Sequence, residues 1–481
     1  MSKNESKGRS LSTPKMVLFG LQHMFAMFGA TILVPILTGL SVQVTLLGVG
    51  VGTLLFHLIT KGKVPAFLGS SFAFLVGIQL VIDPTAGIFP VERVGDYVYI
   101  LGNMRGLVEG TAIPLAEFTR HTLPYATGAI LVSGLVYVLF SLIIKLVGVK
   151  RFMKALPPIV TAPTVILIGI MLAPFAINQS SENILLAVAT LAIVVIASAW
   201  GKGMVKIIPI LLGIGGAYLL AVFLHNFTGF TNANGSAIID LAGAARRVGR
   251  LGYVPGADTG YYMEHISFLG LPPFMLPRFN IIAILIMIPF AIATIAEHIG
   301  DMVALSNITG EDFLEDPGLG RTLLGDGVAS MFSGFIGGAA NTTYGENVGV
   351  VALTRIFNPR VVQIGAVFAA ILAFSPLFAV VIYSIPTAII GGASFMLYGM
   401  IAAVGIRNLV DSRVDISKTK NLTIIAIMLV IGLGLRFANP ITFAIGDTNI
   451  PLSRLGIAIA VVVGVILNAI LPDKAPTEAV K

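Results

Sequence analysis

Long apolar runs alternate with short polar segments along almost the whole chain. A window of about 20 residues, the length of helix that crosses a hydrocarbon core, finds twelve apolar runs. They cover residues 16–38, 44–60, 125–147, 158–178, 182–200, 206–225, 279–305, 322–338, 360–379, 385–404, 421–438 and 451–471. Two further runs, 64–83 and 339–356, are interrupted by Gly, Ser, Thr, Asn and Glu. The pattern predicts an all-α polytopic membrane protein with fourteen transmembrane segments.

The composition supports a lipid environment. Hydrophobic residues make up 56% of the chain and charged residues only 11%, with a mean hydropathy of +0.95, whereas soluble domains carry roughly a quarter charged residues. The formal net charge is +7, but the basic residues are scattered through short loops rather than gathered in a stripe. We therefore expect membrane lipids as partners and no nucleic acid.

The basic residues predict the orientation of the chain. With the N-terminus in the cytoplasm, most loop Lys and Arg residues fall on the cytoplasmic side, as the positive-inside rule requires. These are Lys61, Lys63, Lys150, Arg151, Lys154, Lys202, Lys206, Arg355, Arg360, Arg407, Arg413, Lys418 and Lys420. Residues 1–15 lack the apolar region of a signal peptide. We expect a multi-pass protein of the cell (inner) membrane, with cytoplasmic tails at 1–15 and 472–481.

The two halves of the chain resemble each other weakly. Leu21–His23 resembles Ala296–His298, and Gly69–Phe72 resembles Asn341–Tyr344. Seven spans in each half would invert the second half relative to the first, the arrangement of many secondary transporters. A later pair of similar segments is separated by fewer residues than these two pairs, and the polar insertion at 84–123 accounts for the difference. The sequence thus predicts two inverted seven-span repeats.

The interrupted spans occupy corresponding positions in the two halves, which in transporters indicates the binding site. Non-helical backbone survives at membrane depth only inside protein or beside a polar cavity. The small residues around Ser71 and Gly345 supply this irregularity. The alternative is that they simply allow close helix packing.

Two acids, Glu297 and Glu346, lie deep inside apolar runs. A carboxyl group there must pair, face water or remain protonated, because burying a charge costs several kcal/mol. Both are candidates for substrate hydrogen bonding and proton coupling, and the alternative is a structural bond between helices. Asp301 follows Glu297 by four residues on the same helix face, so it is a further proton-coupling candidate.

Other candidates are supporting residues or parts of the pocket wall. His298 points about 100° away from Glu297 and is interpreted as structural. Asp326 either supports the site or forms a structural pair, and His23 is more typical of a satisfied core histidine. Phe72 and Tyr344 could form the walls for a flat ring, or could be ordinary aromatic packing.

The residue inventory argues against an enzyme. The chain has no cysteine, and we find no nucleophile beside a base, no metal-ligand cluster and no nucleotide-binding loop. We therefore expect no metal and no cofactor. A passive channel is a competing hypothesis, although pores favour rings of repeated polar residues. An anion transporter is another, because half-helix N-termini attract anions, although two acids at the crossing oppose it.

Four segments resemble the uracil permeases of the nucleobase-ascorbate transporter family. They are LQHMFAMFGATILVP (21–35), KGKVPAFLGSSFAF (61–74), AEHIGDM (296–302) and NTTYGENVGVVALTR (341–355). Glu346-Asn347-x-Gly349 followed by Thr354-Arg355 is similar to the signature of that family. The resemblance extends over essentially the whole chain apart from the tails and outer loops.

The resemblance implies a core domain and a gate domain, with short antiparallel strands in spans 3 and 10. The core would comprise 16–147 (spans 1–4, with the outer insertion 84–123) and 279–379 (spans 8–11); the gate would comprise 148–225 (spans 5–7) and 380–471 (spans 12–14); an outer loop would span 226–278. It also implies alternating access and a possible homodimer.

The resemblance further implies the roles of site residues. Glu297 and Glu346 would hydrogen-bond a pyrimidine, Phe72 and Gly345 would offer backbone contacts, and Tyr398 would approach from the gate side. Ser71 and Tyr344 complete the expected pocket, with Asn347 in support. The expected activity is import of uracil by proton symport. Asp301 replaces a His of a uracil permease and Asp326 resembles the xanthine branch, so xanthine or a broader nucleobase range remains an alternative.

Overall fold

The computed structural model describes most of the chain. The described residues are 12–86, 88–102, 104, 106–149, 151, 157–232, 235–250, 268–437, 442–445, 448–452 and 455–472. Residues 1–11 and 473–481 of the predicted tails, and 251–267 of the predicted outer loop, lie outside them.

The described chain is mostly helical. In chain order its first half contains α1 Thr13–Thr38, α2 Val42–Ile59, β1 Leu68–Ser70, α3 Ala73–Ile82, β2 Val91–Val94, β3 Tyr97–Ile100, β4 Ala112–Pro114, α4 Leu115–Val147, α5 Pro158–Ser180, α6 Ile184–Trp200, α7 Met204–Ile207, α8 Pro209–Thr228 and α9 Leu241–Arg250. Its second half contains α10 Ile281–Thr309, α11 Leu319–Ile336, β5 Asn341–Thr343, α12 Gly345–Thr354, α13 Pro359–Leu372, α14 Pro376–Tyr383, α15 Thr387–Asp411, α16 Thr419–Phe437, β6 Thr442–Ile445, β7 Thr448–Pro451 and α17 Gly456–Ile470.

Several of these helices can cross a membrane. Among the described residues, eight are long and apolar enough to do so, or nine if the bent pair α13 and α14 is one span. Three further apolar helices among the described residues are shorter, namely α3, α6 and α17. The chain is therefore a multi-pass membrane protein.

The apolar run predicted at 360–379 is not one straight helix. It divides into α13 and α14, whose axes differ by 87°. Pro376 lies at the start of α14, and the Ser375 side chain accepts a hydrogen bond from the Phe378 backbone N–H. Proline has no N–H to donate and disfavours helical backbone in the preceding residue, so the first helix ends before it.

Small residues bring the long helices into close contact. A side chain on Gly327 of α11 would meet Tyr137 and the carbonyl oxygen of Gly134 on α4 at less than 3 Å. The two backbones therefore approach closely because both positions are glycine, a common arrangement where membrane helices pack. The same contact brings Tyr137 into the interior, where it is fully buried.

The insertion predicted at 84–123 has its own structure. Strands β2, β3 and β4 form an antiparallel sheet in that order, and α4 begins directly after it. Val98 and Ile100 of β3 are buried while Tyr97 and Tyr99 are exposed, the alternation expected of a half-buried strand.

Candidate functional site

The two interrupted spans meet as paired strands. β1 and β5 are antiparallel, with Leu68 opposite Thr343 and Ser70 opposite Asn341. All six strand residues are buried. Each strand thus satisfies the backbone of the other, which non-helical segments at membrane depth require.

Each strand leads directly into a helix. Phe72 is the residue before α3, and Tyr344 is the residue before α12. The first N–H groups of both helices consequently point towards the crossing, since the first turn of a helix has no internal partner for them. Both aromatic side chains are buried.

Close packing at the crossing depends on Gly69. A side chain at this position would collide with the ring of Tyr344. The Tyr344 ring therefore lies directly over the backbone of β1. Its hydroxyl group and the hydroxyl of Ser71 have no hydrogen-bond partner among the described residues.

Three carboxyl groups converge beside the strands. Glu297 and Asp301 lie on α10, and Glu346 lies in the first turn of α12. Their charges are close enough to interact with one another. A side-chain carbon on Gly345 would stand 3.5 Å from an Asp301 carboxylate oxygen. All three acids are partly buried, whereas Gly345 is exposed, so the start of α12 faces open space.

His298 and Asp326 form a fully buried pair behind the strands. His298 Nδ1 lies 2.9 Å from Asp326 Oδ2 and 3.1 Å from Thr343 Oγ1, and Nε2 lies 2.9 Å from Thr322 Oγ1. The backbone N–H of Thr343 donates to the same Asp326 oxygen at 3.1 Å. The pair therefore holds β5 in place, and His298 is engaged by these partners rather than turned towards Glu297.

His23 joins α1 to the helix that carries Glu346. Its Nδ1 lies 3.2 Å from Oδ1 of Asn347, the residue after Glu346, and both side chains are buried. Asn347 Nδ2 has no hydrogen-bond partner among the described residues. These two residues therefore fix the rotation of α12.

Tyr398 lies on a separate group of helices. It is buried on α15, which packs against α5 and α6, while α5 also packs against α10. The structure thus connects Tyr398 to the carboxyl-bearing helix through α5.

Sequence reasoning missed two residues that fix the site. The Tyr137 hydroxyl of α4 hydrogen-bonds Thr294 of α10, one turn before Glu297, and lies close enough to Glu297 and Asp326 to interact with their charges. A buried tyrosine usually finds a partner for its hydroxyl. A tyrosine within an apolar run was therefore an available signal.

Asn341 is the second anchor of β5. Ser330 Oγ accepts from its backbone N–H at 3.1 Å and donates to its carbonyl oxygen at 2.7 Å. Asn341 Nδ2 donates to the carbonyl oxygens of Gly48 and Ala329. The strand is therefore held from both sides by α2 and α11.

A cavity of about 520 Å³ lies between α10, α5 and α15. Ala296 and Gly300 line it, whereas Glu297 and Asp301 do not. The cavity and the carboxyl groups therefore lie on adjacent faces of the same helix. Within the described part of the chain, no group of three or more His, Asp or Glu side chains is arranged to hold a metal ion.

Comparison with known sequences finds relatives over nearly the whole chain. The family model described as "Permease family" (Xan_ur_permease) matches residues 14–441. A uracil permease of Bacillus subtilis (strain 168) is 37% identical, covering 98% of this chain and 96% of the relative. A putative pyrimidine permease of Escherichia coli (strain K12) is 35% identical, covering 96% and 92%.

Solved structures share the fold at low identity. The transmembrane domain of the cyanobacterial bicarbonate transporter BicA gives a TM-score of 0.56 at 14% identity, covering 94% of this chain and 96% of that one. Murine Slc26a9, an anion transporter in the inward-facing state, gives 0.56 at 10% identity, covering 96% and 69%. These similarities establish a transporter fold and say nothing about the substrate.

Proposed function

Because the chain belongs to the Xan_ur_permease family of permeases, we propose that it imports uracil by proton symport through alternating access. Its relatives are named permeases, which are transporters, so the prediction that the chain is not an enzyme is confirmed. The observation that carries the proposal is the convergence of Glu297 and Glu346 at the crossing of β1 and β5.

Uracil offers alternating N–H and C=O groups around a flat ring. Glu297 and Glu346 bind the ring edge, since a carboxyl group accepts hydrogen bonds when ionised and can donate one when protonated. The backbone N–H groups of Phe72 and Gly345 donate hydrogen bonds to the carbonyl oxygens of the ring. Phe72 and Tyr344 cover the ring faces, with Ser71 at the rim and Tyr398 approaching from the gate.

Proton coupling uses the same acids. A neutral base brings no charge, so its uphill movement needs a group that gains and loses a proton during the cycle. Glu297, Glu346 and Asp301 are close enough to share this role, because neighbouring carboxyl groups rarely all ionise together. His298, Asp326, Asn347 and His23 hold the elements that present them.

The structure offers no specific support for the xanthine alternative. Asp326, the residue that resembles the xanthine branch, uses one carboxylate oxygen to contact His298 and to accept from the backbone N–H of Thr343. It acts on the strand, not on the ligand. We therefore retain uracil as the proposed substrate.

The transport cycle needs two bodies that move relative to each other. We propose fourteen segments in two inverted seven-span repeats, with core spans 1–4 and 8–11, gate spans 5–7 and 12–14, and both termini in the cytoplasm. In a homodimer, the contact between the two protomers would keep the gate domains fixed while the core domains move. The distribution of Lys and Arg and the weak resemblance between the two halves of the sequence support this arrangement.

Uptake of radiolabelled uracil into proteoliposomes under an imposed pH gradient tests the proposal. Glu297→Gln and Glu346→Gln should each reduce uptake about tenfold or more, the effect of losing a hydrogen bond that involves a charge. The exposed Glu182, in the turn between α5 and α6, supplies the matched control Glu182→Gln, which should transport normally.

Normal transport by both glutamate variants would refute the site. A passive channel would instead give flux that does not saturate and that persists with a protonophore. Competition by excess xanthine would change the proposed substrate. A requirement for sodium would change the proposed coupling ion.

A further inference from the structure

The cavity beside α10 runs along the helix, past Glu297 and Asp301, towards the C-terminal end of the helix. Its lining begins at Ile295, level with Glu297, and continues to Ile308 near the end of the helix. At 1.5 Å per residue this distance is roughly 20 Å. In the proposed topology it ends on the cytoplasmic side, so it lies where a released substrate would pass.

The walls of this cavity differ in character. Ile295, Ile299 and Val303 form an apolar surface on α10, and amide and hydroxyl side chains such as Asn408 and Thr161 face it from α15 and α5. Asp411 is the charged residue of the lining. A negative wall charge disfavours anions, so the cavity suits a neutral, flat, hydrogen-bonding molecule rather than a nucleotide.

Gly300 and Asn408 lie opposite each other on the cavity wall. A side-chain carbon on Gly300 would stand 3.6 Å from Asn408 Oδ1 and 3.9 Å from Nδ2. The Asn408 amide therefore lies beside a part of α10 that carries no side chain, and it borders the cavity. A carboxamide offers one acceptor and a donor in a plane, the same pairing as neighbouring C=O and N–H groups of a pyrimidine.

We propose that Asn408, opposite Gly300, forms a second and weaker subsite for the neutral nucleobase, between the glutamate site and the cytoplasm. The inference rests on the proposed function. A base leaving the glutamates would exchange their hydrogen bonds for those of the amide before it reaches water.

The absence of cysteine from the chain provides a clean reporter. Ser412 lines the cavity and is exposed, so Ser412→Cys introduces a single thiol there. In the full-length, detergent-solubilised protein, uracil should slow the reaction of this thiol with a maleimide, and uridine 5′-phosphate at the same concentration should not.

Two second-site variants separate the subsite from the glutamate site. In Ser412→Cys/Asn408→Ala, the uracil concentration for half-protection should rise about fivefold, the effect of one lost hydrogen bond. In Ser412→Cys/Glu297→Gln it should stay within about twofold, because Glu297 does not line the cavity. Normal uracil uptake by Ser412→Cys would show that the reporter protein is active.

Three results would overturn the subsite while leaving the proposed function intact. They are no protection by uracil in an active Ser412→Cys protein, protection lost with Glu297→Gln but kept with Asn408→Ala, and equal protection by the nucleotide. Failure of the unaltered chain to take up uracil would instead refute the proposed function.

Discussion

Asp326 shows how much of a site one buried side chain can organise. A single carboxylate oxygen accepts a hydrogen bond from the backbone N–H of Thr343 and contacts His298 Nδ1. The residue is fully buried, so water does not replace a lost partner. The carboxylate therefore positions a strand that we propose touches the substrate, although it has no direct contact with the ligand in the proposed mechanism.

Replacing this carboxylate should cost stability. Asp326→Asn keeps the shape and one oxygen but removes the negative charge, and hydrogen bonds to a charged group contribute about 1.5–3 kcal/mol, more than those to a neutral one. We expect a lower unfolding temperature in detergent and weaker uracil binding. Asp96→Asn, at an exposed position of the outer sheet, is the matched control. An unchanged unfolding temperature in Asp326→Asn would contradict the assigned role.

Tyr137 is a positioning residue one turn from Glu297. Tyr137→Phe removes the hydroxyl that bonds Thr294, whereas Thr294 keeps its bonds to the carbonyl oxygens of Phe290 and Ala291. The fold should lose only about 0.5–1.5 kcal/mol. We expect the KM for uracil uptake to rise several-fold with little change in kcat, and Tyr99→Phe, which is exposed, to leave both unchanged. A normal KM in Tyr137→Phe would remove it from the site.

The paired strands are the element on which the site depends. β1 and β5 are only three residues long, and an isolated pair of strands is not stable by itself. Their stability comes from bonds to α2 and α11: Ser330 and Asp326 of α11 bond to the backbone of β5, and Asn341 of β5 donates to a carbonyl oxygen of α2. A small change at the crossing should therefore have a large effect on transport.

Gly69→Ala tests the crossing itself. The added methyl group would collide with the Tyr344 ring, and overpacking of this kind costs about 1–3 kcal/mol. We expect reduced thermal stability and loss of uracil binding. Gly215→Ala on α8 is a matched control, because nothing lies within 4 Å of the added carbon, and it should be neutral or stabilising by up to about 1 kcal/mol. Equal behaviour of the two variants would contradict the packing argument.

At the scale of the whole molecule, the proposed cycle requires α10 to move against α15. Gly300 and Asn408 face each other across these helices, and the chain supplies no competing thiol. In Gly300→Cys/Asn408→Cys, a short thiol-cleavable bifunctional reagent should reduce uracil uptake to background. A reductant should then restore uptake to the level before crosslinking.

Each single-cysteine variant, treated in the same way, shows the effect of the reagent without a crosslink. Full transport by the crosslinked protein would mean that the two helices move together. Such a result would exclude alternating access between these two groups of helices while leaving the substrate assignment open.

The sequence alone determined the membrane class, the position of most helices and the two interrupted segments. Those features depend on local properties, namely the length of an apolar run and the presence of small or polar residues within it. The acids Glu297 and Glu346 were also recognisable, because a carboxyl group inside an apolar run carries a large burial cost wherever the chain folds.

Only the tertiary structure decided which groups meet. Four features cannot be predicted from the local sequence pattern. They are the pairing of His298 with Asp326, the contact of Tyr137 with Thr294, the 87° bend between α13 and α14, and the cavity beside Gly300. Hydrogen bonds join atoms within about 3 Å, and that distance depends on how whole helices pack. A sequence fixes which residues need a partner, and packing selects the partner.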